Sequence, residues 1–185
     1  KGDYPLKDAA IYGKALALLQ LKRTDEADAL MQELATRHPE DLFVVDALTD
    51  IDLAKGRSAQ AIARLEKFRT RMPDNEVVVV NLGNAYLEGG NYKKSIAILD
   101  PYAREHEENN LAWSLLSDAY RKAGRMTDLH MARAEMLSLR GDYQAAIDEL
   151  IVARGTTNDK LTLARLEARI TELERAKKDL DSLKG

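Results

Sequence analysis

Asn81-Leu-Gly-Asn-Ala-Tyr-Leu-Glu-Gly-Gly-Asn-Tyr-Lys-Lys-Ser-Ile-Ala-Ile-Leu-Asp-Pro101 reads as helix, tight turn, helix, and the rest of the chain repeats it with variations. Leu82, Gly83 and Tyr86 share one helical face. Gly89-Gly90 breaks that helix, and Ser95 and Leu99 lie on the face of the next. Gly83 and Ser95 are small where two antiparallel helices must cross closely, because a large side chain there would force the axes apart. A register of 34 residues carries the pattern to both sides. It sets Ala61 under Ala27, Leu65 under Met31, Phe68 under Leu34 and Pro73 under Pro39. One step beyond the opening stretch it brings up Trp113-x-x-Leu116-Ser117-x-x-Tyr120. Helical periodicity alone does not produce so long a register.

Leu-Gly-x-x-Tyr, then Ala-x-x-x-Phe, then Pro, repeated every 34 residues, is the tetratricopeptide spacing. The sequence therefore predicts an all-α chain, a right-handed α-solenoid of helical hairpins. Residues 1–7, with Gly2 and Pro5, read as a linker, and Asp8 is placed to cap the first helix. From there 8–185 reads as one solenoid domain. Its repeats run over about 8–41, 42–75, 76–109 and 110–140, with a fifth over 127–157 that shares a helix with the fourth. Ser58 is the expected cap of the second helix of repeat two. No proline follows Tyr102 at the place of Pro39 and Pro73, so 101–109 is expected to be a polar loop. A long capping helix, 159–184, closes the array. Its apolar stripe is Leu163, Leu166, Ile170, Leu173, Leu180 and Leu183, and a coiled-coil dimer seam is the rival reading of that stripe.

With 45% hydrophobic and 32% charged residues in 185, the chain has ample material for a core. A net charge of -3 supplies no basic field for phosphates, so nucleic acid is not an expected partner. No apolar run approaches the roughly 20 residues needed to cross a bilayer, and membrane insertion is not expected. Cysteine is absent, which removes disulfide and thiol chemistry. The chain starts at Lys1 rather than Met and reads as a segment of a longer protein, with any targeting signal upstream.

His38, His106 and His130 are too scattered in the repeat to build a catalytic triad. His106-Glu-Glu-Asn-Asn110 starts like the zinc motif His-Glu-x-x-His but has Asn110 where the second ligand belongs. No catalytic or metal-binding residue is assigned, and no cofactor is expected in this chain. The repeats do supply a groove. In tetratricopeptide arrays the second, fifth, ninth and twelfth positions of the first helices line it. Those positions select Tyr12, Phe43, Asp46, Asp50, Asn84, Leu87, Asp118 and Arg121 as protein-binding residues, a mixed apolar and acidic wall. Tyr102, Arg104 and His106 are the candidates in the 101–109 loop.

Several strings are more specific than generic repeat residues. Ala47-Leu48-Thr49-Asp50-Ile51-Asp52-Leu53, Asn81 to Gly90, Ala132-Arg133-Ala134-Glu135, Gly141 to Ile147 and Ala168-Arg169-Ile170 resemble the carboxy-terminal repeat domain of the bacterial periplasmic β-barrel assembly-enhancing proteases. The resemblance implies a zinc metalloprotease domain upstream and a periplasmic location. The zinc ligands of that family match nothing here. The resemblance thus implies that this segment is a non-catalytic recognition arm, expected to dock on its own protease domain and to contact the outer-membrane barrel assembly machinery and barrel substrates. The alternatives are a scaffold that self-associates through its last helix, and an inhibitory lid over the protease.

Overall fold

The computed structural model describes residues 4–184. Among them the chain forms ten helices: α1 (Tyr4–Gln20), α2 (Thr24–Arg37), α3 (Leu42–Ala54), α4 (Ser58–Arg69), α5 (Glu76–Glu88), α6 (Tyr92–Glu105), α7 (Asn110–Lys122), α8 (Met126–Leu139), α9 (Tyr143–Gly155) and α10 (Lys160–Lys184). The turns that close the hairpins repeat one device. Lys22, Gly56, Gly90 and Gly124, evenly spaced at the repeat length, all take left-handed backbone, with φ of 58, 68, 75 and 71°. At each, the residue's N–H bonds the carbonyl three residues back and the next N–H bonds the carbonyl five back. At Gly90 these are Gly90 to Leu87 at 3.0 Å and Asn91 to Tyr86 at 2.7 Å. The pair satisfies carbonyls that the helix end would otherwise leave open. Left-handed backbone costs an L-residue roughly 1–2 kcal/mol, which is why glycine holds three of the four places. Lys22 bears that cost.

Helix starts repeat as regularly. Asp41, Asn75 and Asn109 cap α3, α5 and α7, their side-chain oxygens accepting from Phe43, Val78 and Ala112 N–H at 2.8, 3.3 and 3.0 Å. Two expected caps are corrected. Ser58 is the first residue of α4 and makes no cap, and the residue before it, Arg57, caps no helix N–H with its side chain. α1 is already helical at Tyr4, inside the stretch read as a linker, whose residues 1–3 lie outside the described part. Asp8 therefore sits within the helix, and its carboxylate pairs with Arg37 and His38 instead.

The expected 101–109 loop is also corrected. α6 runs through Pro101 to Glu105. Tyr102 stands one repeat after Phe68 and two after Leu34, and all three fill the same buried place, at 7%, 4% and 2% exposure. Burying the Tyr102 ring and Ala103 holds the last turn helical, although Pro101 withholds one N–H donor. What remains of the connection is tied down, since Trp113 Nε1 donates to the Glu107 carbonyl at 2.9 Å.

The sequence reads as one continuous domain, whereas the packing gathers the helices into two compact units, Lys1–Asn91 and Tyr92–Gly185. In the first, α1 packs on α2, α2 on α3, and α3 on both α4 and α5. Its core is built from Ala15, Leu18, Met31, Leu34, Leu48 and Ile51, with Ala27 fully buried among them. Two carboxylates, Asp28 and Asp52, are buried. Asp52 is fully buried and is held by Arg57 Nη2 at 2.8 Å and by Arg64. Arg57 also reaches Asp28 at 2.9 Å, where Lys55 joins at 2.8 Å, so one ionic chain stitches α2, α3 and α4.

In the second unit, α8 packs against both α7 and α9. Leu166, Ile170 and Leu173 of α10 are buried with Ala146, Leu150 and Ala153 of α9. The apolar stripe of α10 is thus consumed within the unit as far as Leu173, while Leu183 is 84% exposed. Arg169 on the same helix binds Glu135 of α8 at 2.6 Å.

Two substitutions test this packing. Lys22→Gly should raise the free energy of unfolding by about 0.5–1 kcal/mol and Gly56→Ala should lower it by a similar amount, measured by urea denaturation. Asp52→Ala leaves Arg57 and Arg64 facing each other without their carboxylate and should cost about 3 kcal/mol in the same assay.

Candidate protein-interaction surface

α3 carries two opposed faces. Val44, Val45 and Leu48 turn into the core, which leaves Phe43, Asp46 and Asp50, at i, i+3 and i+7, on the outward stripe. The Asp41 cap fixes where that stripe begins. Phe43 is consequently 73% exposed beside a fully anchored Val44. Between this end of α3, α1 and the end of α2 lies a cleft of about 560 Å³. Ala9, Leu34 and Val44 contribute apolar wall, Tyr12 and Phe43 the aromatic wall, and Asp8, His38 and Asp41 the polar edge.

The electrostatics of this face are one-sided. Asp46 accepts from Asn81 Nδ2 of α5 at 2.6 Å, which fixes its carboxylate without neutralising it. Among the described residues no basic side chain forms an ion pair with Asp46 or Asp50. Asp50 is exposed as a residue, yet the protein around its carboxyl displaces enough water to raise it above the usual range, and the Asp46 charge adds to the effect. Burial, then the charges of Asp46, Asp41 and Asp50, likewise push the Tyr12 phenol up. Asp8 at the cleft edge is engaged from α2 and its end: His38 Nε2 lies 2.6 Å from its carboxylate and Arg37 pairs with it. The hydrogen bond from His38 is the main cause that holds Asp8 below its ordinary range, against the opposing effect of desolvation.

Four of the groove residues expected from sequence, Tyr12, Phe43, Asp46 and Asp50, thus share this face of the first unit, and Asn84 of α5 is half-buried. Leu87 is a correction. It is 7% exposed, because α5 is apolar around most of its circumference and its register position meets packing instead of solvent. In the second unit Asp118 and Arg121 pair with each other at 2.8 Å on α7. Tyr102 is buried, so it is not a loop contact, and its ring lies 4.3 Å from that of His106. Arg104 is helical and bonds Asp100 at 2.8 Å. Sequence reasoning missed Asp8, His38 and Asp41 as cleft residues. A signal was present: opposite charges 29 to 31 residues apart recur, as Asp8 with Arg37 and His38, Asp25 with Lys55, and Glu40 with Arg71.

Among the described residues no group of three His, Asp or Glu side chains is arranged to hold a metal ion. No described helix is long and apolar enough to cross a membrane.

Hairpins of one length, closed by one turn and stacked through small crossing residues, define a class of protein. The tetratricopeptide repeat profiles match residues 9–41 and 52–119, together more than half of the chain, and the chain belongs to the tetratricopeptide repeat proteins. Within curated sequences, 61 residues are 43% identical to the β-barrel assembly-enhancing protease of Yersinia pestis, over 33% of this chain and 13% of that protein. A further match, to a putative β-barrel assembly-enhancing protease of Vibrio cholerae, is 39% identical over 51 residues, 28% of this chain and 10% of that one. The resemblance drawn from the residue strings is therefore present, over a small part of the relatives' length. Solved structures agree on the fold. A thermophilic repeat protein of Thermus thermophilus superposes with a TM-score of 0.58 at 16% identity, over 90% of this chain and 98% of its own. A MamA segment from Desulfovibrio magneticus gives 0.62 at 19% identity, over 92% and 96%.

Because Asp50 binds its proton more tightly in the folded chain, ionising it works against the fold, and stability is lost as pH rises from the ordinary carboxylate range through the raised one. Asp50→Asn should therefore be as stable as the parent or more so at pH 7, by less than about 1 kcal/mol, and should show no advantage at a pH below the ordinary carboxylate range. Paired urea titrations at the two pH values check it, and a loss of stability at pH 7 would contradict it.

Proposed function

We propose that this chain is the recognition arm of a periplasmic β-barrel assembly-enhancing protease, and that the α1–α3 face of its first unit holds an extended or partly folded polypeptide. The supporting observation is an open apolar cleft whose most prominent wall, Phe43, is left in water beside carboxylates that no cation of the described chain neutralises. A repeat fold works by presenting surface, and a large ring kept exposed there has no role in the core. In this reading the arm contacts the outer-membrane barrel assembly machinery and barrel substrates, and docks on its own zinc protease domain. Peptide-bond hydrolysis belongs to that other domain. Asp46 and Asp50 accept from main-chain N–H groups or basic side chains of the client, while the cleft takes its apolar side chains.

Photo-crosslinking in cells tests the proposal, with a reactive amino acid placed in the full-length protein at Tyr12, Asp50, Asn84, Arg104 and Asp118 in turn. Positions 12 and 50 should yield adducts with components of the barrel assembly machinery or with unfinished barrels. Charge reversal of Asp46 and Asp50 should weaken those adducts and leave the melting temperature almost unchanged. No adduct from any position in an otherwise active protein would end the proposal, and a sharp fall in melting would make the two carboxylates structural.

A further inference from the structure

The α1–α3 face also constrains what the client must look like, an inference that rests on the recognition reading above. We infer that the face selects an extended segment carrying a large apolar side chain, aromatic by preference, two residues away from a lysine or arginine. The apolar requirement comes from the cleft. At about 560 Å³ it lies within the roughly 300–1,000 Å³ of pockets that enclose ligands, and Tyr12, Phe43, Leu34 and Val44 give it walls a hydrocarbon or ring can cover. The positive charge comes from the α3 stripe that leads away from it. Asp46 and Asp50 follow Phe43 on the same face, and Asn81 aims the Asp46 carboxylate without cancelling its charge.

The spacing comes from geometry common to both partners. A helix rises about 1.5 Å per residue, so Asp46 and Asp50 lie about 4.5 and 10.5 Å along the axis from Phe43. An extended chain advances about 3.3 Å per residue and shows alternate side chains on one face, every 6.6 Å or so. A side chain seated beside Phe43 therefore puts the next same-face residue between the two carboxylates, within reach of both. A lysine or arginine at that place relieves the repulsion between Asp46 and Asp50. An acidic residue there adds a third negative charge. At the other edge, Asp8 already engages Arg37 and His38, so neither side chain is free to attract an anionic client.

Fluorescence anisotropy on the 185-residue chain, with labelled peptides in a Gly-Ser background, tests this. The probes carry Phe-Ser-Lys, Lys-Ser-Phe, Phe-Ser-Glu, Ala-Ser-Lys, or Phe and Lys as immediate neighbours. At least one of the two Phe/Lys peptides with a single intervening residue should bind about tenfold more tightly than each of the other three. Asp46→Asn with Asp50→Asn should abolish the preference for Lys over Glu and keep the preference for Phe over Ala. Phe43→Ser, at an exposed position where the circular dichroism should stay unchanged, should do the reverse. Equal binding of the Glu peptide, or no binding by any probe, overturns the client chemistry. Crosslinks from positions 12 and 50 that persist in that event would leave the recognition reading standing, and their loss would remove both.

Discussion

A single left-handed residue at the end of a helix, recurring once per repeat, is the constraint on which this structure depends. At Lys22, Gly56, Gly90 and Gly124 a helix ends on the same left-handed residue and the same two backbone hydrogen bonds. Within a unit, hairpins closed in this way offer the same apolar face to the next. Ala27 and Ala61 occur at one place in that register because the close approach set by the turn leaves no room for more. The hydrophobic burial supplies most of the driving force. The turn decides which residues receive it.

The same regularity explains why a binding surface arises with no residue set aside for chemistry. Asp41, a helix cap repeated as Asn75 and Asn109, fixes the rotation of α3. Once Val44 and Leu48 face the core, Phe43, Asp46 and Asp50 can only face outward. In the buried half of α3, Asp52 is matched by two arginines, whereas on the outward half two carboxylates stand without a counter-ion among the described residues. That contrast within one helix separates a charge used to hold the fold from charges left for a partner.

Much of this was legible in the residues. The 34-residue register, the small residues at the crossings and the Trp113 to Tyr120 signature are enough to name the fold, because each reports a packing requirement that few residue types satisfy. The misreadings have a shared cause. The missing proline after Tyr102 reads locally as a loop over 101–109, yet the register that places Phe68 under Leu34 also places Tyr102 there, and the burial of that ring keeps the last turn of α6 helical. The position of Leu87 in the repeat points to the groove, but how deep a position lies depends on the neighbouring helices, which register alone does not supply. Ser58 and Asp8 carry good capping side chains at places where the chain did not need them. The cleft itself is assembled from α1, the end of α2 and the cap of α3, and a repeat-by-repeat reading does not bring those three together.

The central claim is that the outward stripe of α3 and the adjoining cleft are where this chain meets another polypeptide. Nuclear magnetic resonance of the isotopically labelled chain, titrated with a peptide bearing phenylalanine and lysine, addresses it at single residues. The account predicts amide shift changes concentrated at Tyr12, His38, Phe43, Asp46 and Asp50. Changes confined to α6 through α10, or a peptide that binds without perturbing α1 and α3, would contradict it.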